Sequence, residues 1–127
     1  MTPRFAIVTA ALMMALAVAL GAFGAHALRA RIAPELVAVW QTGVTYHAWH
    51  AIALLVVGVL RMHATDRRAW RIAGALFVAG VVLFSGSLYA LALGAPAWFG
   101  LVTPFGGVAF IGGWLCVALG ALAVSEV

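Results

Sequence analysis

Three of the four histidines, His26, His47 and His50, sit in or at the edge of long apolar runs that carry no formal charge. Gly43, His47, His50 and Leu54 are spaced four, three and four apart, so on a helix they share one face. An imidazole nitrogen can ligate zinc, copper or haem iron. It can also relay a proton. As a neutral ring it simply donates one hydrogen bond and accepts another. Hydroxyl groups accompany the histidines along the chain: Thr42, Thr45, Tyr46, Ser85, Ser87, Tyr89 and Thr103. They could satisfy the rings without any ligand, or complete a pocket around one. The candidate site is therefore His26, Thr42, Tyr46, His47, His50, Ser85, Ser87 and Tyr89, with His26, His47 and His50 as the candidate metal ligands.

Catalysis has less to work with. The chain has no nucleophile elbow, no glycine-rich phosphate loop and no paired carboxylates. Glu35 is the one acid near the polar residues, and no acid orients a serine–histidine pair. The chain reads as a non-enzyme. His63 falls among loop arginines and needs no special account. Cys116, the single cysteine, can form neither an intramolecular disulfide nor a Cys-x-x-Cys site, and it reads as a small buried hydrophobe.

These residues must be positioned by elements that live in hydrocarbon. The 127 residues are 67% hydrophobic and 8% charged, with mean hydropathy +1.18; a soluble domain carries about 25% charged residues. A crossing helix needs about 20 mostly apolar residues. Four windows qualify, at about 5–25, 42–60, 72–93 and 105–124, and the whole of 1–127 reads as one transmembrane domain. Gly94, Pro96, Gly100 and Pro104 supply the turn between the last two. The predicted fold class is an all-α, four-helix membrane bundle.

The seven arginines lie in the breaks between spans rather than in a basic groove interleaved with aromatics, which argues against nucleic acid. Arg61, Arg67, Arg68 and Arg71 flank one break and outweigh Asp66. By the positive-inside bias that loop and both termini lie in the cytoplasm. Sequence order then collects the polar residues in the outer halves of the spans. With Thr42 as the outer boundary, His47 lies roughly 8 Å deep and His50 roughly 12 Å. Trp70 and Trp98 fall near the expected interfaces.

Arg4, an apolar stretch and Ala25-His26-Ala27 resemble a signal peptide. The stretch is longer than a usual leader core, however, and it carries Gly21 and Gly24, so a retained helix is expected. Pro34 and Glu35 suit a helix start. A helix from Pro34 to Leu60 would be about 40 Å long, so a short interfacial helix between spans one and two is expected to break near Gly43. Ala73, Gly80, Ser87 and Gly94 recur every seven residues, as do Gly106, Gly113 and Gly120. Such stripes let spans approach closely.

Four segments resemble the YgdD-like family of small bacterial inner-membrane proteins: Gly21-Ala-Phe-Gly-Ala-His-Ala-Leu28, Thr42-Gly-Val-Thr-Tyr-His-Ala-Trp-His-Ala-Ile-Ala-Leu-Leu55, Phe84-Ser-Gly-Ser-Leu-Tyr-Ala-Leu91 and Thr103-Pro-Phe-Gly-Gly-Val-Ala-Phe-Ile-Gly-Gly-Trp114. The resemblance spans essentially the whole chain. It implies a four-span protein of the inner (cytoplasmic) membrane with a retained first helix. It brings no established activity. Among its signature residues are His26, Tyr46, His47, His50, Ser85, Ser87 and Tyr89.

Three functional readings follow. In the first, the protein is structural or accessory, with a hydrogen-bonded polar cluster. In the second, it holds a metal, haem, lipid or small molecule at His26, His47 and His50. In the third, it moves protons or a small solute as an oligomer. The expected partners are the lipid bilayer and a second copy or a larger membrane complex. No cofactor is specified.

Overall fold

Thr2 starts the first helix by accepting a hydrogen bond from Phe5 N–H at 3.2 Å, and Pro3 fills the first turn, where its missing N–H costs nothing. In the computed structural model, which describes residues 1–63 and 67–123, helix α1 runs Pro3–His26. A single 3-10 turn, Leu28–Ala30, leads to α2 (Pro34–His63). The third rod has three parts: α3 (Arg68–Gly80), a π-helical turn at Val81–Ser85, and α4 (Gly86–Ala92). A 3-10 turn, Ala97–Leu101, precedes α5 (Thr103–Leu122). Among the described residues there is no strand. Four rods are long and apolar enough to cross a membrane: Pro3–Ala30, Pro34–His63, Arg68–Ala92 and Ala97–Leu122. Residues 64–66 and Val124, the expected end of span four, lie outside the described residues.

The expected break near Gly43 is absent. Helix α2 is continuous over 30 residues. Thr42 and Thr45 donate their hydroxyls back to Ala38 O at 3.0 Å and Gln41 O at 2.9 Å, so they sit in the helix without competing for its backbone. Gly43 serves packing instead. A Cβ there would come within 2.9 Å of the Tyr89 ring. The one separate helical piece between spans one and two is the Leu28–Ala30 turn.

The predicted turn after span three is present. Gly94 adopts φ 92°, a left-handed conformation that glycine takes without strain, and Ala95 N–H closes the helix end on Ala90 O at 2.9 Å.

Helix α1 packs on α2 through buried Ala6, Ala10, Ala17 and Gly24. The third rod packs on both α2 and α5. Its closure on α5 is steric. Trp70, Phe77 and Phe84 recur every seven residues on the third rod and face Gly120, Gly113 and Gly106, also seven apart. A Cβ at Gly113 would lie 2.6 Å from the Phe77 ring, and one at Gly106 would overlap the Phe84 backbone. Gly80 returns the arrangement by admitting the Phe110 ring. Hydrocarbon gives little drive to associate, so this dense contact is what holds the pair.

Trp70 lies in the first turn of α3, between Arg68 and Arg71. It is buried, and its Nε1–H donates to Val117 O at 3.3 Å. Trp98 is exposed in the turn and stacks on Phe99.

Candidate intramembrane polar site

Helix α2 carries the site because it is the rod with neighbours on several sides. His47 and His50 are 3% and 4% exposed. Along the helix His50 lies about 24 Å from Pro34 and about 20 Å from His63 at 1.5 Å per residue. With α2 unbroken, both rings therefore sit near its middle.

The two histidines are seated differently. His50 Nδ1 lies 2.7 Å from Tyr46 O, and Trp114 Nε1–H donates to His50 Nε2 at 3.2 Å. A carbonyl only accepts and an indole N–H only donates, which assigns the neutral Nδ1–H tautomer. Both nitrogens are thus used. The ring stacks on Phe110, with centroids 3.4 Å apart and planes 11° from parallel. His47 Nδ1 is 3.1 Å from the Tyr89 hydroxyl. Its Nε2 is buried without a hydrogen-bond partner among the described residues.

Ser87 donates to Phe84 O at 2.9 Å and lies 2.7 Å from the Thr103 hydroxyl, which ties α4 to the start of α5. Ser85 is fully buried, and its Oγ has no partner among the described residues. It is the last residue of the π-helical turn, where Val81 O accepts from Gly86 N–H. Tyr89 is one turn further along the same face and also stacks with Trp40, which donates to Leu20 O at 2.8 Å.

The structure pairs His47 with Tyr89 and His50 with Tyr46, buries Ser85 without a partner among the described residues, and joins Ser87 to Thr103. Two candidates join none of these contacts. Thr42 is exposed and bonded to its own helix. His26 is exposed at the end of α1, beyond Gly24, which packs on Trp40 about two helical turns from His47. The three-histidine ligand set is therefore not assembled. Among the described residues no group of three His, Cys, Asp or Glu gathers to hold a metal ion.

Sequence reasoning missed the aromatic partners. Trp114, Phe110 and Phe84 surround His50 and Tyr46. A signal was available at Trp114, because an indole N–H in mid-span needs an acceptor and the acceptor has to come from another helix. The partnership also leaves a feature that no spacing announced. Between α2 and α5 runs a groove of about 390 Å³ lined by Tyr46, Trp49, His50, Phe84, Gly107, Phe110, Ile111 and Trp114.

Residues 20–107 match the family described as "Protein of unknown function (DUF423)". The chain belongs to the DUF423 family. It is 45% identical over 116 residues to the UPF0382 membrane protein YwdK of Bacillus subtilis, covering 91% of this chain and 94% of that protein. It is 43% identical over 125 residues to the UPF0382 inner membrane protein YgdD of Escherichia coli K12, covering 96% and 92%. A Staphylococcus aureus UPF0382 membrane protein is 42% identical over 113 residues, covering 89% and 91%. No solved structure matches the chain. Family and spans agree: this DUF423 protein is a multi-pass membrane protein embedded in a lipid bilayer, of a family whose biochemical role carries no name.

Proposed function

We propose that the protein is a non-enzymatic, accessory component of the cytoplasmic membrane, whose central histidines hold its spans in register. One observation carries this reading: His50 spends both ring nitrogens on the protein itself, one on its own helix and one on Trp114 of α5. A ligand or a transported proton would need one of those nitrogens free. The Ser87–Thr103 contact ties up two further hydroxyls, and His47 spends Nδ1 on Tyr89. Both termini face the cytoplasm in this proposal, supported by Arg4, Arg61, Arg67, Arg68 and Arg71 at one end of the antiparallel rods against Arg29 and Arg31 at the other. Helix α1 is retained, in keeping with its small residues packed on α2. Its opposite face, with Phe5, Val8, Leu12 and Leu16 exposed, is offered to a second copy or a larger membrane complex.

A double-mutant cycle tests the central claim. His50→Leu and Trp114→Phe should each lower the melting temperature of the detergent-purified protein, and the double variant should fall little further, because the two share one bond. Full additivity would sink the register role. One equivalent of metal, or a Soret band, lost on His50→Leu would replace it with ligand binding. Chemical crosslinking in membranes tests assembly, with a dimer or a mixed adduct through α1 expected and a bare monomer against it.

A further inference from the structure

Trp49 and Trp114 are out of place for membrane tryptophans. Indoles collect at the two membrane–water interfaces, yet Trp49 lies fifteen residues from Pro34 and fourteen from His63, at the centre of α2. Trp114 is likewise in mid-helix on α5. Both are half-exposed, at 57% and 50%, and together they rim the groove between α2 and α5.

The floor of that groove is the stacked His50–Phe110 pair. The two helices do not pack along their length here; side chains bridge them. The chemistry of the lining narrows what can enter. His50 has no donor or acceptor left to offer. The Tyr46 hydroxyl and the Trp49 indole N–H are the other polar groups of a lining that is otherwise ring and hydrocarbon, and they offer no set of ligands to a metal. A flexible hydrocarbon chain finds aromatic walls and dispersion contacts. Ile111, 63% exposed, opens the groove sideways to the bilayer, where such chains are the solvent.

We propose that this groove binds one acyl chain of a bilayer phospholipid, held between Trp49 and Trp114 at the level of His50. The site shares His50 with the candidate ligand set, and it rests on the same His50–Trp114 pairing as the accessory role. Gly107 is the residue that keeps it open. A Cβ there would meet only the Phe84 ring, at 3.9 Å, so a larger side chain fits the backbone and projects into the groove.

The test is native mass spectrometry and lipid extraction of the full chain purified in mild detergent. The wild type should retain about one phospholipid per chain. Gly107→Leu should lose most of it, several-fold, with helical content and monodispersity unchanged. Ile111→Trp, on an exposed position of the same rim, should do likewise and serves if Gly107→Leu misfolds. Leu119→Trp, exposed on α5 outside the groove lining, should retain lipid as the wild type does. Equal retention in wild type and both groove variants would overturn the proposal. So would a folded wild type that carries no lipid, or one that carries an isoprenoid quinone in place of a phospholipid.

Discussion

The two sides of the third rod are closed by different forces. Toward α5, aromatic rings at Trp70, Phe77 and Phe84 drop onto bare glycines at Gly120, Gly113 and Gly106. Toward α2, and across to α5 at His50, the contacts are hydrogen bonds and ring stacks of partly polar side chains. The steric seam tolerates no added atom and needs no partner of a given type. The polar seam tolerates changes of shape but demands the right donor and acceptor. The second seam also differs within itself: His50 is fully satisfied, whereas His47 Nε2 and Ser85 Oγ are not. Close packing supplies most of the cohesion, and the histidines select which packing.

This contrast sets an order of expected effects. The largest belongs to the glycine seam. Gly120→Leu puts a branched side chain into the Trp70 indole, and overpacking of this kind costs about 1–3 kcal/mol or more. A melting curve in detergent should show a large drop, and one no greater than for Gly107→Leu would break the distinction. Next comes His50→Leu, which leaves the Trp114 N–H unpaired. Interhelical hydrogen bonds in membranes contribute about 0.6 kcal/mol on average and up to about 2, so a drop of that order is expected and should vanish in a Trp114→Phe background. His47→Leu should cost less, because it gives up the Tyr89 contact but also removes a buried nitrogen without a partner. An equal or larger loss than for His50→Leu would show that the two seats are equivalent. Smallest is Ser85→Ala, which deletes an unpartnered buried hydroxyl. Replacing such a group is near neutral or stabilising, and a clear loss of stability would reveal a partner for Ser85.

The four spans were legible because apolar run length is a property of the chain alone. The glycine stripes were legible for the same reason, since a seven-residue spacing of small residues can be read off one helix. The matching ladder of Trp70, Phe77 and Phe84 was also present in the sequence. It acquires meaning only when the third rod faces α5 in one particular register. Four of the eight candidate site residues meet in pairs, His47 with Tyr89 and His50 with Tyr46, while Ser85 and Ser87 bond to neither histidine. His26 and Thr42 join neither pair, because helix ends and helix faces both decide who meets. His26 is too far along α1, and Thr42 is on the wrong side of α2. The expected break at Gly43 failed for a related reason. A glycine is compatible with a kink or with close approach, and only the Tyr89 ring packed against it distinguishes the two.

By itself, the chain determined that this is a membrane protein of four spans, that its polar residues crowd toward one part of them, and that small residues line two of its faces. All of these follow from local composition and period. Tertiary structure alone decided that His50 pairs with Trp114, that His47 pairs with Tyr89, and that α2 and α5 stand apart with a groove between them. The physical reason is that a hydrogen bond or a groove is a relation between helices. Helical period tells which residues share a face, while the rotation and depth of each helix against its neighbours, set here by rings seated on glycines, tell which faces meet.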